Sequence, residues 1–305
     1  MSFANELAVG LAATPRRISP KWFYDEAGSA LFERICALPE YYLTRTEMAM
    51  LDHWAPEIAA LVGPEVDIVE FGAGSTRKLR VLLGALESPR AYTPVDISGE
   101  YLVREVQALL ADHPALHVQP VVADFTADLT PPPALGRRVG FYPGSSIGNF
   151  DPTDAEALLR RFAGWLDGGA LLIGVDLVKA PALLHAAYND AQGVTAAFNL
   201  NLLARANREL GADFKLAAWA HSAFYNPPAQ RIEMHLMSLR AQRVSFDGRH
   251  FDFAEGDSIH TENSYKYTVA SFQALARRAG FEPAAVWTDP LQRFSLHWLT
   301  PKEPA

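Results

Sequence analysis

The sequence predicts an α/β fold in which a parallel β-sheet is covered by helices on both faces. Between residues 66 and 178, segments of strand type alternate with segments whose apolar residues recur at helical spacing. Such alternation is typical of successive β-α-β units with right-handed crossovers. The predicted strands end in acidic or glycine residues, and open sheets of this kind bind ligands at the carboxyl ends of their strands. We therefore expect a binding site along that edge.

Five strands and three helices form this alternating part. The predicted strands are 66–71, 91–97, 118–125, 139–143 and 170–177, and the predicted helices are 77–87, 99–112 and 153–167.

The pattern changes after residue 178. Residues 180–212 are predicted to be helical, and residues 215–255 to form antiparallel strands with a hairpin turn at Asp247-Gly248. A helix at 269–279 and strands at 284–288 and 294–299 then complete a seven-stranded sheet.

The predicted domain organisation follows from this interruption of the sheet. An α+β lobe is inserted into the core, and the N-terminal helices are expected to join it. The expected segments are the N-terminal helices (1–60), the first part of the core (61–178), the inserted lobe (179–266) and the C-terminal helix and strands of the core (267–305).

Composition narrows the class of protein. The net charge of −8 argues against nucleic acid as a partner, because phosphate binding needs a basic surface. The single cysteine, Cys36, cannot form an internal disulfide, which fits a reducing cytoplasm. We expect no signal peptide and no membrane span. The nine histidines are scattered along the sequence, so no metal site is expected.

The run Asp67-Ile-Val-Glu-Phe-Gly-Ala-Gly-Ser-Thr76 predicts a nucleotide-binding turn between a strand and a helix. Glu70, Gly72 and Gly74 give the spacing E-x-G-x-G, in which glycine lets a ligand approach the main chain closely. The third glycine of the dinucleotide motif would fall at Arg77 and is missing. The turn therefore fits S-adenosylmethionine (SAM), which has no pyrophosphate, better than NAD.

The other strand ends carry further candidate residues. Asp96 is placed to accept hydrogen bonds from both ribose hydroxyls, although it could instead cap the next helix. Asp124 suits the adenine amino group as an acceptor, and the Phe125 ring suits packing on the base. The alternative is that Asp124 is a loop acid beside a core ring. Gly144 begins the loop that runs to Asn149, where a transferred group would lie, and Asn149 offers both a donor and an acceptor. A turn or cap role for Asn149 is the alternative.

In the inserted lobe, residues 261–267 are dense in polar side chains just before a predicted helix. Thr261 or Ser264 could cap that helix. Alternatively, Glu262 and Ser264 could line a pocket for a polar substrate, and the residue types alone leave both interpretations open.

Several motifs together resemble the SAM-dependent histidine Nα-methyltransferases of ergothioneine biosynthesis, in order along residues 17 to 300. The motifs are Pro20-Lys-Trp-Phe-Tyr-Asp-Glu-Ala-Gly-Ser29, Leu31-Phe32, Pro39-Glu-Tyr-Tyr42, Thr44-Arg45, Glu70-Phe-Gly-Ala-Gly-Ser75, Gly144-Ser-Ser-Ile-Gly-Asn149, Ala187-Tyr-Asn-Asp190, Phe198-Asn199, Asn207-Arg-Glu-Leu210 and Arg231-Ile-Glu-Met234. The resemblance implies a class I methyltransferase core, a Rossmann-like seven-stranded sheet, with a substrate-binding lobe. It also implies trimethylation of the α-amine of L-histidine to hercynine, with S-adenosylhomocysteine as the second product.

The resemblance implies roles only at matching positions. Imidazole recognition falls to Tyr41, Glu262 and Ser264, and carboxylate binding to Asn149 and Tyr188. Tyr24 and Phe32 would line the pocket near the amine, and Met234 would pack near the ring. The implied SAM contacts are Gly72, Lys78, Asp96, Asp124 and Phe125. Leu43 and Tyr265 depart from the family pattern, which bears on loop conformation more than on substrate identity.

No residue is assigned as a catalytic base, because part of a free α-amine is already deprotonated at neutral pH. The same fold methylating another amino acid or small amine remains an alternative, as does a SAM-binding sensor without activity. A nicotinamide oxidoreductase is disfavoured by the missing third glycine. We expect a monomer without a metal.

Overall fold

The computed structural model describes residues 2–302, and the chain divides into two compact units. The first, here called the lobe unit, contains the chain up to Tyr42 together with Lys179–Tyr265. The second, here called the core unit, contains Leu43–Val178 and the chain from Lys266 onward.

The helices and strands are numbered in chain order. The α-helices are α1 Phe3–Ala12, α2 Glu26–Ala37, α3 Tyr42–Val62, α4 Arg77–Ala85, α5 Gly99–Asp112, α6 Pro152–Leu166, α7 Pro181–Tyr188, α8 Val194–Leu210 and α9 Val269–Arg278. The strands are β1 Val66–Phe71, β2 Ala91–Asp96, β3 His117–Val118, β4 Val121–Val122, β5 Arg137–Tyr142, β6 Ala170–Asp176, β7 Trp219–Asn226, β8 Arg231–Ser238, β9 Gln242–Phe246, β10 Arg249–Phe253, β11 Ser258–Tyr265, β12 Phe281–Thr288 and β13 Phe294–Pro301. Short 3₁₀ helices lie at Pro20–Phe23, Ser146–Asn149 and Leu216–Ala218.

The sheet of the core unit has the order β12-β13-β6-β5-β1-β2-β3. Strand β4 also pairs with β2, on the same edge as β3 but further along β2. Strands β1, β2, β5 and β6 are parallel, whereas β13 runs antiparallel between β6 and β12. This order, with an antiparallel last strand inside the sheet, is that of class I methyltransferases. The predicted fold class is confirmed.

The third strand differs from its prediction over 118–125. Two residues of β3 and two of β4 pair separately with β2, and Gln119-Pro120 lies between them. Pro120 has no backbone N–H to donate and restricts the residue before it, which interrupts a ladder. Asp124 and Phe125 therefore lie in the segment after β4 and not within a strand.

The centre of the core sheet is β1, which pairs with β2 on one side and β5 on the other, and all six of its residues are buried. Ile68 of β1 packs in one apolar cluster with Ile58 of α3 and Leu79 of α4. Helices and sheet thus bury each other's apolar faces, and the turn after β1 is held on a rigid support.

Helix α3 starts at Tyr42, so Thr44 and Arg45 already belong to it. Leu43, Glu47, Met50 and Leu51 follow helical spacing and are all buried, so they form the inward face of α3.

The lobe unit combines helices with small antiparallel sheets. Strands β11, β8 and β7 form one sheet, and β9 pairs with β10 across Asp247-Gly248, whose two positive φ angles confirm the predicted hairpin turn. Residues 258–265 form strand β11, so the alternative in which Thr261 or Ser264 caps the following helix is wrong. Thr268 caps α9 instead, in a reciprocal capping box with Ser271.

Among the helices of residues 2–302, none is both long and apolar enough to cross a membrane.

Candidate active site

The turn after β1 has the backbone that its glycines predict. Gly72 has a φ of +73°, and the backbone N–H groups of Gly72 and Ala73 both donate to the Val95 carbonyl, at 2.8 and 3.1 Å. A Cβ at position 72 would lie 3.4 Å from the Phe125 ring. The turn is therefore tight and tied to β2. Gly74 has no atom within 4 Å of a built Cβ, so the surrounding protein does not itself demand glycine there.

Glu70, predicted as part of the cofactor site, is buried at the end of β1. The Tyr92 hydroxyl donates to its Oε2 at 2.6 Å. Burial raises the pKa of Glu70 to about 8, although the hydrogen bond from Tyr92 and the charge of Lys78 oppose the rise. At neutral pH the carboxyl is therefore mostly protonated.

The next two predicted acids stand close to the same turn. Asp96 ends β2, accepts from the Ser98 N–H at 2.7 Å and has a pKa raised by burial. Asp124 accepts from the Thr126 N–H at 3.0 Å. The Phe125 ring lies next to Gly72 and is 5.8 Å, centroid to centroid, from Tyr142. The core unit thus brings together the glycine turn, the acid of β2 and an aromatic ring.

Glu47, a buried carboxylate for which no role was predicted, lies beside Gly144 and Lys78. Both oxygens of Glu47 are 2.9 Å from the Gly144 N–H, and Lys78 Nζ is 2.5 Å from Oε2. Gly174 of β6 makes room for this carboxylate, because a Cβ there would be 2.1 Å from Glu47 Oε1. The sequence indicates this residue in one way only: Glu47 is an acid on the otherwise apolar face of α3.

The loop after β5 begins at Gly144, whose φ is +81°, and leads into the 3₁₀ helix Ser146–Asn149. Ser145 also has a left-handed backbone, and its Oγ accepts from the Asp176 N–H at 2.9 Å. Glu47 and Ser145 thereby fix the loop that ends at Asn149, which is half-buried.

In the lobe unit, the predicted aromatic residues form a continuous set. Ring centroids are 5.6 Å apart for Tyr24 and Phe32, 6.3 Å for Phe32 and Tyr41, and 6.4 Å for Tyr41 and Tyr188, all edge to face. Phe198 of α8 lies against Tyr24 and Phe32, at 5.8 and 6.0 Å, although no role was predicted for it. Burial raises the pKa of the Tyr41 phenol well above its usual value, so this hydroxyl stays protonated.

Strand β11 places its predicted residues on one face. Glu262 and Ser264 are two positions apart and so point the same way. Glu262 pairs in register with Met234 of β8, which puts these two side chains on the same side of the sheet. The Tyr188 hydroxyl donates to Ser264 Oγ at 2.7 Å. The lobe unit therefore groups Met234, Glu262, Ser264 and Tyr188.

Tyr265, one of the departures from the family pattern, lies beyond these residues on β11. Its hydroxyl is 2.5 Å from an Arg231 nitrogen, and the Arg231 guanidinium also lies over its ring. Tyr265 thus has a partner in the sheet itself.

Within residues 2–302, Glu233, His235 and His260 offer metal-ligand atoms that lie within 4.8 Å of one another. The two imidazole rings are stacked at 4.7 Å with an interplanar angle of 9°, so their nitrogen lone pairs do not converge on one point. Glu233 Oε1 is already bonded by Asn226 and Arg231. The expectation that no metal takes part stays a prediction.

Comparison with known proteins places this geometry in context. A family model described as "histidine-specific methyltransferase, SAM-dependent" matches residues 3–301. The chain is 42% identical over 298 residues to the histidine N-alpha-methyltransferase of Mycolicibacterium smegmatis, covering 96% of this chain and 92% of the relative. It is 38% identical over 302 residues to that of Mycobacterium tuberculosis, covering 97% and 94%.

A solved structure of a protein from Bordetella parapertussis aligns with a TM-score of 0.50 at 15% identity, over 87% of this chain and 70% of that one. This likeness concerns the fold alone.

Proposed function

The chain belongs to the family of histidine-specific, SAM-dependent methyltransferases, and we propose that it transfers three methyl groups to the α-amino group of L-histidine, giving hercynine in the first step of ergothioneine synthesis. The observation that carries this proposal is the group on the lobe unit formed by Glu262, Ser264 and Tyr188. An acid and a hydroxyl on one strand face suit the two ring nitrogens of an imidazole.

The residues of the core unit fit SAM. Gly72 lets the main chain approach a ligand, Asp96 offers a carboxylate to the ribose hydroxyls, and Phe125 lies beside the turn to pack on the adenine. We assign Asp124 to the adenine amino group, and Lys78 and Gly144 to the methionine part. When bound, SAM supplies an electrophilic methyl group on a sulfonium.

The protein's task in this reaction is to position a neutral amine. A free α-amine has a pKa of roughly 8, so part of it is already deprotonated at neutral pH. A positive charge placed nearby lowers that pKa further. No dedicated base is then required, and we assign none.

The aromatic side chains of the lobe unit have a role in retaining the substrate through successive transfers. Tyr24 and Phe32 meet edge to face at 5.6 Å, and we assign their rings to the cationic amine. Ring faces attract ammonium groups, and each methylated intermediate and the product carries such a charge. These rings therefore favour trimethylation over early release.

Recognition of the imidazole depends on Glu262, Ser264 and Tyr41. We assign the Glu262 carboxylate to one ring N–H, and Ser264 and the protonated Tyr41 phenol to the other nitrogen. We assign the substrate carboxylate to Tyr188 and Asn149, and the ring packing to Met234. The lobe unit accordingly carries the substrate-binding residues apart from Asn149, and the core unit carries the SAM-binding residues. We also propose a metal-free cytoplasmic monomer.

The test is an assay of the purified protein with methyl-labelled SAM and a panel of amino acids and small amines. We expect label in histidine only, with the trimethylated product accumulating by mass spectrometry. Methylation of a different amino acid would replace histidine as the substrate, and no methylation together with tight SAM binding would identify a sensor.

A further inference from the structure

A β-bulge decides which way Glu262 and Ser264 face. The register of β8 and β11 shifts between His260 and Glu262: His260 pairs with His235, whereas Glu262 pairs with Met234. Thr261 is the extra residue. Because side chains alternate along a strand, one added residue turns every later side chain to the other face. Without the bulge, Glu262 and Ser264 would point away from the side on which Met234 lies.

The bulge is held by a buried side chain from another element. Thr261 Oγ1 lies 2.8 Å from Asn199 Oδ1 on α8 and 3.1 Å from the Met234 carbonyl. Asn199 and Thr261 are both buried. Asn199 Nδ2 donates to the His235 carbonyl at 3.0 Å. Since a carbonyl only accepts, the amide orientation is fixed and Oδ1 faces Thr261.

The same amide also holds the chain at Tyr188. Asn199 Nδ2 lies 2.9 Å from His221 Nδ1, and His221 Nε2 lies 2.9 Å from the Tyr188 carbonyl. The Tyr188 carbonyl requires a proton on Nε2, so Nδ1 of the neutral ring accepts from Asn199. Burial lowers the pKa of His221, which keeps the ring in this neutral form.

We propose that Asn199 is a positioning residue for the binding of histidine. Through Thr261 it holds the bulge that orients Glu262 and Ser264, and through His221 it holds the main chain at Tyr188. This inference rests on the proposed function. The hydrogen bonds of Asn199 go to His221, the His235 carbonyl and Thr261, and not to the assigned substrate-binding side chains, so it acts through these partners. Its position follows from α8, where Asn199, Leu202 and Leu203 share the buried face.

The first test compares Thr261→Val with Thr261→Ser. Valine keeps the shape of threonine but loses the hydroxyl, whereas serine keeps the hydroxyl. Calorimetric titration with histidine, in the presence of S-adenosylhomocysteine, is expected to show at least tenfold weaker binding for Thr261→Val and a change below threefold for Thr261→Ser. Binding of S-adenosylhomocysteine itself should change less than twofold in both.

A second pair keeps the test decisive if Thr261→Val does not fold. His221→Leu removes the donor to the Tyr188 carbonyl, whereas His221→Gln places an amide nitrogen near that carbonyl. Only the leucine variant should lose at least fivefold in its affinity for histidine. Unchanged histidine binding in folded Thr261→Val or His221→Leu protein, with only a lower melting temperature, would overturn the inference. Failure of the wild-type protein to bind histidine would instead refute the proposed function.

Discussion

At the scale of single residues, Glu262 is expected to decide histidine recognition. Replacing it by alanine leaves an imidazole N–H without an acceptor, and an unpaired buried polar group costs about 1–3 kcal/mol. We therefore expect Glu262→Ala to raise the KM for histidine at least tenfold and to leave SAM affinity close to that of the wild type. Steady-state kinetics with each substrate varied in turn measures both.

The matched control for this prediction is Glu255→Ala. Glu255 is an exposed acid of the same unit, in the turn before β11, so its removal changes the net charge equally. Its KM for histidine should match the wild type. A Glu262→Ala enzyme with the same KM as the control would remove Glu262 from the imidazole site.

At the scale of elements, β6 and α3 meet at Gly174 and Glu47. A Cβ at position 174 would lie 2.1 Å from Glu47 Oε1 and 3.0 Å from the Phe294 ring. Gly174→Ala should therefore displace the carboxylate that binds the Gly144 N–H and Lys78. Overpacking of this kind costs about 1–3 kcal/mol. We expect a lower melting temperature and weaker SAM binding, measured by thermal denaturation and calorimetry.

Gly164→Ala is the control for this change. Gly164 lies inside α6, and a built Cβ has no atom within 4 Å. Alanine is favoured over glycine in a helix, by roughly 0.5–1 kcal/mol, so this variant should be at least as stable as the wild type. A Gly174→Ala protein that behaves like it would show that Glu47 does not need its present position.

Elements set by local pattern were predictable from the sequence, and those set by distant partners were not. The alternation of strands and helices and the E-x-G-x-G turn are local features, and they predicted the core and its turn. The break at Pro120, by contrast, depends on how two short segments share β2. The bulge at Thr261 is a property of two paired strands, and its anchor, Asn199, is 62 positions away.

The same reason explains the residues of the site. Asp96 follows a predicted strand and was placed correctly at its end, whereas Glu47 meets Gly144 across 97 positions of sequence. Polar residues on the apolar face of a helix were the visible signal for both Glu47 and Asn199. That pattern shows that a partner is needed but does not name it.

At the scale of the whole molecule, buried groups with displaced pKa values govern how stability depends on pH. Burial lowers the pKa of His297, on β13, from 6.5 to about 3. The unfolded chain therefore takes up a proton at a higher pH than the folded protein does. Between these two values the free energy of unfolding must fall as the pH falls.

His297→Gln removes this titration and tests its size. One proton bound by the unfolded state alone corresponds to a slope of roughly 1.4 kcal/mol per pH unit. Plotted between pH 6 and pH 4, the free energy of unfolding of the variant should fall less steeply than that of the wild type by about that amount. A constant loss of stability from the lost Ser295 hydrogen bond shifts the curve without changing its slope.

Urea denaturation at successive pH values measures the slope. The control is His53→Gln, at an exposed position on α3 of the same unit, which should keep the wild-type slope. Parallel curves for His297→Gln and the wild type would mean that His297 is protonated in the folded protein over this range. The acid sensitivity of the fold would then have to come from other groups, such as Glu233, whose pKa is lowered to about 2. The contribution of Glu233 to the free energy of unfolding is lost only as the pH falls below about 4.5.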